Sequence, residues 1–202
     1  MVKFAEKLTD FGPAVYRLTS GPRGHIHYYH KYCPWNAEGD RLLFLEYGKR
    51  GEPADICVMN FDTGRIRSVG RSTAWSTHTA ARQMWADDRI LYMQDYDADD
   101  NRTVTSVMAN GGTGRYTVPL DVLDTVRNGV GYGIYSLAYC FPDDCIGDRS
   151  KVGVARFDMR SGDVRVVCST ERIITVNPDV EMLQEMHVFV KQVMRHPQRD
   201  FI

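Results

Sequence analysis

Three of the chain's six histidines, His25, His27 and His30, fall within six residues of one another, beside Tyr28 and Tyr29. Histidine changes charge near neutral pH, so such a cluster can move protons, bind a metal or contact a ligand. Further polar and aromatic candidates gather at three places: Trp75, His78, Arg82 and Gln83; Tyr132 and Tyr135; His196 and Gln198. In a strand, residues two apart share a face. That puts His25, His27 and Tyr29 on one side of an extended segment and Tyr28 and His30 on the other. His25 and His27 form an i, i+2 pair, one ligand short of the three protein ligands a catalytic metal site normally takes. Histidines that line the channel or are satisfied in the core account for such a pair better than a metal does. No Gly-x-Ser-x-Gly elbow is present. Gly129-Val130-Gly131-Tyr132-Gly133 has no helical pattern after it, so it lacks the context of a phosphate loop. The acidic run Asp95 to Asn101 lacks the glycine-punctuated register of a calcium loop and reads as a solvated surface loop.

The elements that position these residues show up as a recurring phrase: an alternating apolar run, a polar-Gly turn and a second β-rich run. It runs from Asp55 to Val69, from Val104 to Val118 and from Val152 to Val167, with turn glycines at Gly64, Gly114 and Gly162. A period of about fifty residues marks β-propeller blades or solenoid arrays. Each unit carries four β-rich runs, which is the blade pattern. The expected fold is therefore all-β, a partial β-propeller of about three four-stranded antiparallel blades plus the start of a fourth. Its units run over about 24–70, 71–120, 121–170 and 171–202, the last incomplete. Inner strands are expected near 25–32, 78–85 and 132–139, with the candidate residues at their heads. Val15 to Ser20 reads as a leading strand that completes a last blade, and Met182 to Met186 as a short helical turn. Three units and part of a fourth do not close a ring, so the chain is expected to be part of a longer propeller.

Charge and composition narrow the function classes. Lys+Arg number 25 and Asp+Glu 26, for a formal net charge of -1. That gives no basic excess of the kind nucleic-acid binding needs. No stretch approaches the roughly 18 uninterrupted apolar residues of a membrane span, and the N-terminus lacks a signal-peptide core. Five cysteines without metal-type spacing fit reduced thiols and a cytoplasmic location. Cys57 and Cys168 lie in strand patterns, and only Cys140 and Cys145 are placed to bridge a loop.

The stretch Gly24-His25-Ile26-His27-Tyr28-Tyr29-His30-Lys31-Tyr32-Cys33-Pro34-Trp35-Asn36-Ala37-Glu38-Gly39-Asp40-Arg41-Leu42-Leu43-Phe44 resembles the first blade of oligogalacturonate lyases. Those are seven-bladed propellers of pectin breakdown. Arg17-Leu18-Thr19 is similar to their leading strand, and Phe61-Asp62-Thr63-Gly64 and Phe157-Asp158-Met159-Arg160-Ser161-Gly162 to their blade turns. His196-Pro197 is similar to a histidine-proline at the head of a middle blade. Ala74 to Trp85 departs from the family pattern.

The resemblance implies β-elimination on uronate oligosaccharides. A divalent cation, manganese in the family, binds the uronate carboxylate and acidifies the C5 proton. A histidine removes that proton, and the glycosidic oxygen leaves C4. The family's Gln-x-x-His-x-His ligand motif lies in a late blade, so the metal ligands are expected beyond Ile202 and none is assigned here. His196 is the expected base. His25, Tyr29, His30, Arg82, Gln83 and Gln198 are the expected contacts to an acidic oligosaccharide, with His25, His30, His196, Tyr29 and Gln198 around one channel mouth. The alternative is a non-catalytic propeller module that binds carbohydrate or peptide.

Overall fold

The computed structural model describes residues 6–8, 13, 15–30, 32–87, 89–97, 102–109, 112–117, 122–135, 148–186, 188, 190 and 193. For 6, 96–97, 102–109, 112–117 and 122–125 it describes the backbone alone. The Cys140–Cys145 loop, His196 and Gln198 lie outside the described residues. The chain falls into two compact units, residues 1–95 with 105–115 and residues 96–104 with 116–202.

Three four-stranded sheets follow one another along the chain. The first is formed by β3 (Gly24–Ile26), β4 (Arg41–Tyr47), β5 (Ala54–Asn60) and β6 (Ile66–Ser72), paired antiparallel in chain order. The second holds β7 (Met84–Ala86), β8 (Arg89–Asp97), β9 (Arg102–Ala109) and β10 (Gly112–Thr117). The third holds β11 (Val122–Arg127), β12 (Val130–Tyr135), β13 (Gly153–Asp158) and β14 (Val164–Ser169), again antiparallel in chain order. A small two-stranded sheet, β1 (Glu6–Lys7) with β2 (Tyr16–Arg17), precedes them. Two short helices, α1 (Thr170–Thr175) and α2 (Val180–Glu185), follow them. No helix among the described residues is long and apolar enough to cross a membrane.

The central strands of the first sheet are apolar on both faces, which explains their nearly continuous hydrophobic runs. Leu43 pairs with Val58 and Leu45 with Ile56 on one face; Leu42 pairs with Met59 and Phe44 with Cys57 on the other. The first face packs with Ala80, Ala81, Ile90 and Tyr92 into one buried cluster. Fully burying each of its large aliphatic side chains stabilises the fold by about 1.5–3 kcal/mol. On the other face Leu18 joins Phe44, Cys57 and Met59. Among the described residues the leading segment pairs with β1 and lays its leucine on the first sheet. It is not an edge strand of a four-stranded sheet among the described residues. In the second unit Ile134, Val154 and Val193 form a core with Tyr132, Cys168 and Val190.

Two turns close the same way. The Gly64 amide donates to the Asn60 carbonyl, and the Gly162 amide to the Asp158 carbonyl, each at 2.8 Å. Both glycines have positive φ, +71° and +79°, where a Cβ would be strained. The side-chain oxygen of the first turn residue caps the loop: Asn60 accepts from the Thr63 amide at 2.9 Å, Asp158 from the Arg160 amide at 2.9 Å. The amides of Arg160 and Ser161 hold the Asp158 carboxyl below its ordinary range. Gly114 differs: it sits inside β10, not at a turn.

The first strands of the sheets also depart from the expected inner strands. In the third sheet, Asn128-Gly129 forms a two-residue turn with φ of +54° and +73°, pairing Arg127 with Val130. Asn-Gly favours that geometry. It makes β12 the second strand, so residues 132–135 belong one strand later than expected. In the first two sheets the first strands are only three residues long, at 24–26 and 84–86, because the flanking segments turn away.

At the carboxy-terminal side, Ser169 caps α1 by accepting from the Arg172 amide at 3.1 Å. The Arg149 guanidinium donates to the carbonyls of Gln184 and Met186 at 3.1 and 2.8 Å. That satisfies acceptors a helix end leaves open. The helical turn expected over 182–186 falls on α2, which ends one residue earlier, at Glu185.

Candidate functional site

Two loops of the first unit converge where β3 and β7 meet their connecting segments. The first leaves β3 at Ile26. Tyr28 is buried and stacks on Tyr32 with ring centroids 4.0 Å apart, and the Tyr32 amide donates to the Tyr29 carbonyl at 3.0 Å. This turn leaves Tyr29 half-buried and His30 exposed.

The second loop runs over 76–83. Ser76 Oγ accepts from the amides of His78 and Thr79 at 3.3 and 3.0 Å, and the Arg82 amide donates to the Thr79 carbonyl at 3.1 Å. Ala80 and Arg82 both adopt left-handed backbone, with φ of +50° and +51°. Each such residue costs on the order of 1 kcal/mol, so the surroundings must hold the shape.

They do so through Gln83, which is 2% exposed. Its Oε1 accepts from the Ala81 amide at 3.1 Å, and its Nε2 donates to the Ile26 carbonyl at 3.2 Å. The Met93 amide donates to the Ala81 carbonyl at 2.8 Å, anchoring the loop to β8.

The result is an exposed aromatic cluster. Tyr29 carries His30 at 4.1 Å between centroids, tilted by 46°, and His78 at 5.3 Å, edge-on at 69°. His78 and Arg82 sit on the same tight turn, with Arg82 half-buried. A tyrosine face flanked by hydrogen-bonding rings is suited to a sugar ring, whose axial C–H groups pack on aromatics and whose hydroxyls need polar partners.

Of the expected contact residues, the structure brings Tyr29 and His30 together. His25 goes elsewhere: it stands across from Glu46 in β4, with Nε2 at 2.9 Å from Glu46 Oε2 and its ring edge-on to Phe44. Arg23 ties that glutamate to Asp55 at 3.0 and 2.9 Å, and the adjacent thiol of Cys57 is pushed up to about 12 by burial. His27 is exposed, and its Nδ1 meets the Tyr28 carbonyl oxygen. Gln83 is committed at both ends to backbone, so it builds the loop instead of facing a ligand. His78, named above as a candidate but not among the expected contacts, joins the cluster. Among the described residues no group of three or more His, Cys, Asp or Glu side chains is arranged to hold a metal ion.

Successive four-stranded antiparallel sheets define the class: the chain is a partial β-propeller. Among solved structures, an oligogalacturonate lyase from Vibrio parahaemolyticus is similar, with a TM-score of 0.51 at 15% sequence identity. The match covers 80% of this chain and 45% of that lyase, so the chain spans less than half of the lyase's length. No protein-family model matches the chain, and no curated protein matches its sequence.

Proposed function

We propose that this chain is part of a propeller that binds acidic oligosaccharides and cleaves them by β-elimination, with the Tyr29 cluster as a sugar contact. The observation that carries the reading is the half-buried Tyr29 ring flanked by the exposed His30 and His78, on loops tied down by Gln83. Strain in two residues of one loop, Ala80 and Arg82, is a cost that persists at ligand clamps and active sites. The propeller likeness supports the reaction class, and the histidine-proline at His196 supplies the base.

In that reaction an imidazole takes the C5 proton, the C4–O bond breaks with its electron pair on oxygen, and a C4–C5 double bond remains. Histidine suits the step because its charge changes near neutral pH. Tyr29, His30, His78 and Arg82 orient the sugar; Gln198 is a further contact. A divalent cation, manganese by the family resemblance, would neutralise the uronate carboxylate. The described residues offer no site for it, and no step here is assigned to it.

The test is incubation of the protein with oligogalacturonate, following the absorbance of unsaturated uronates. The reading expects the absorbance to rise in the wild type. It expects His196→Ala to slow the reaction by about 10²–10⁴-fold, the usual contribution of a general base, with folding unchanged. Binding without any unsaturated product would refute the lyase reading, and full activity in a folded His196→Ala protein would remove His196 as the base.

A further inference from the structure

We propose that the Tyr29–His30–His78 cluster is a proton-switched anion site, which takes an acidic sugar when its imidazoles are charged and releases it as they lose their protons. This rests on the reading of the cluster as an acidic-oligosaccharide contact.

The histidines of the first unit differ in their partners. His25 has a carboxylate, Glu46, at 2.9 Å, so a proton gained there is neutralised within the fold. Among the described residues His30 and His78 pair with no carboxylate; their mapped ring contact is the neutral face or edge of Tyr29. The other ionisable groups of the two loops do not reverse that balance. Arg82, on the turn that carries His78, has a partner of its own within the fold, and exposed His27 is engaged with the Tyr28 carbonyl. Carboxylates of neighbouring segments are occupied locally. Glu38 and Asp40 accept from Asn36, and Glu52 accepts from the Lys49 amide. Asp87, on the turn between β7 and β8, likewise has a partner of its own.

Protonation therefore adds charge that nothing described in the site cancels. A histidinium beside a tyrosine ring is tolerated, because the ring quadrupole attracts a cation. Histidine as a residue type crosses between its two charge states within about pH 5–8, while a carboxylate of ordinary acidity stays ionised across that range. The electrostatic match between cluster and uronate is thus made and unmade by the protein side alone. Both imidazoles are exposed, so each ion contact is screened by water; surface pairs of this kind carry a combined effect of roughly 2–30-fold in affinity.

The experiment is isothermal titration of the protein with trigalacturonate at several pH values between about 5.5 and 8 at fixed salt, with a neutral trisaccharide as control. Affinity for trigalacturonate is expected to rise roughly 2–30-fold toward the acid end, and the His30→Gln/His78→Gln double variant to be flat. Histidine ring NMR provides a second readout that survives a poorly folding variant. Trigalacturonate should shift the ring signals of His30 and His78 at the acid end of the range and leave those of His25 in place. Trigalacturonate binding with equal affinity across the range, or an undiminished slope in the double variant, would overturn the switch alone. No trigalacturonate binding at any pH would overturn the oligosaccharide reading and the switch with it.

Discussion

Phe157→Ala should destabilise the second unit by about 3–5 kcal/mol, the range for removing a fully buried aromatic ring. Phe157 is the largest of the fully buried side chains and has no exposed surface. It stands across from Gly131 in β12, a position without a side chain of its own to fill the space the ring would leave. Whole domains are stable by only about 5–15 kcal/mol, so this one change removes a large part of the margin. Urea unfolding followed by circular dichroism measures it, and a midpoint close to wild type would show that the third sheet does not depend on this ring.

Gln83→Leu should have the next largest effect, and its consequences should reach the candidate site. The substitution leaves the Ala81 amide and the Ile26 carbonyl without their partners in a buried place. An orphaned buried polar group costs about 1–3 kcal/mol. Leucine recovers some apolar burial, so the net loss is expected at about 1–3 kcal/mol. More telling is the local effect. Ala80 and Arg82 hold left-handed backbone only because the loop is tied down at both ends. With the tie cut, amide exchange across 76–83 should speed up more than across β4 and β5. Uniform protection in the variant would mean that Gln83 is not the clamp.

Much of the fold was legible from residue order. Arg41 to Tyr47 and Ala54 to Asn60 declared themselves as strands because both of their faces are apolar, and the polar-Gly turns at Gly64 and Gly162 marked the hairpins that follow. Gly114 matched the same phrase but lies within a strand, since a glycine in a β-rich run satisfies the pattern without making a turn. The third sheet was read one strand out of place. Gly129 to Gly133 drew attention as a cluster, while the Asn128-Gly129 pair alone sets the hairpin.

Less of the site was legible. Tyr29 and His30 were marked by composition, but strand alternation grouped His25 with Tyr29. That rule fails because β3 ends at Ile26 and the chain turns over the Tyr28–Tyr32 stack. His78 lies 49 positions from Tyr29 in the chain, and no local pattern announces a contact made across two loops. Gln83 carries the hydrogen-bonding groups of a ligand contact and uses them for backbone instead. Only burial distinguishes the two roles.

The proposed function requires an acidic oligosaccharide to sit on Tyr29. The direct measurement is NMR of the tyrosine and histidine rings during titration with trigalacturonate, beside the affinity of a Tyr29→Ala variant. The ring signals of Tyr29, His30 and His78 should shift together and saturate with one affinity, and Tyr29→Ala should weaken binding by at least about tenfold, as loss of a central aromatic anchor does. Unmoved Tyr29, His30 and His78 signals at saturating ligand, with Tyr29→Ala binding like the wild type, would contradict it.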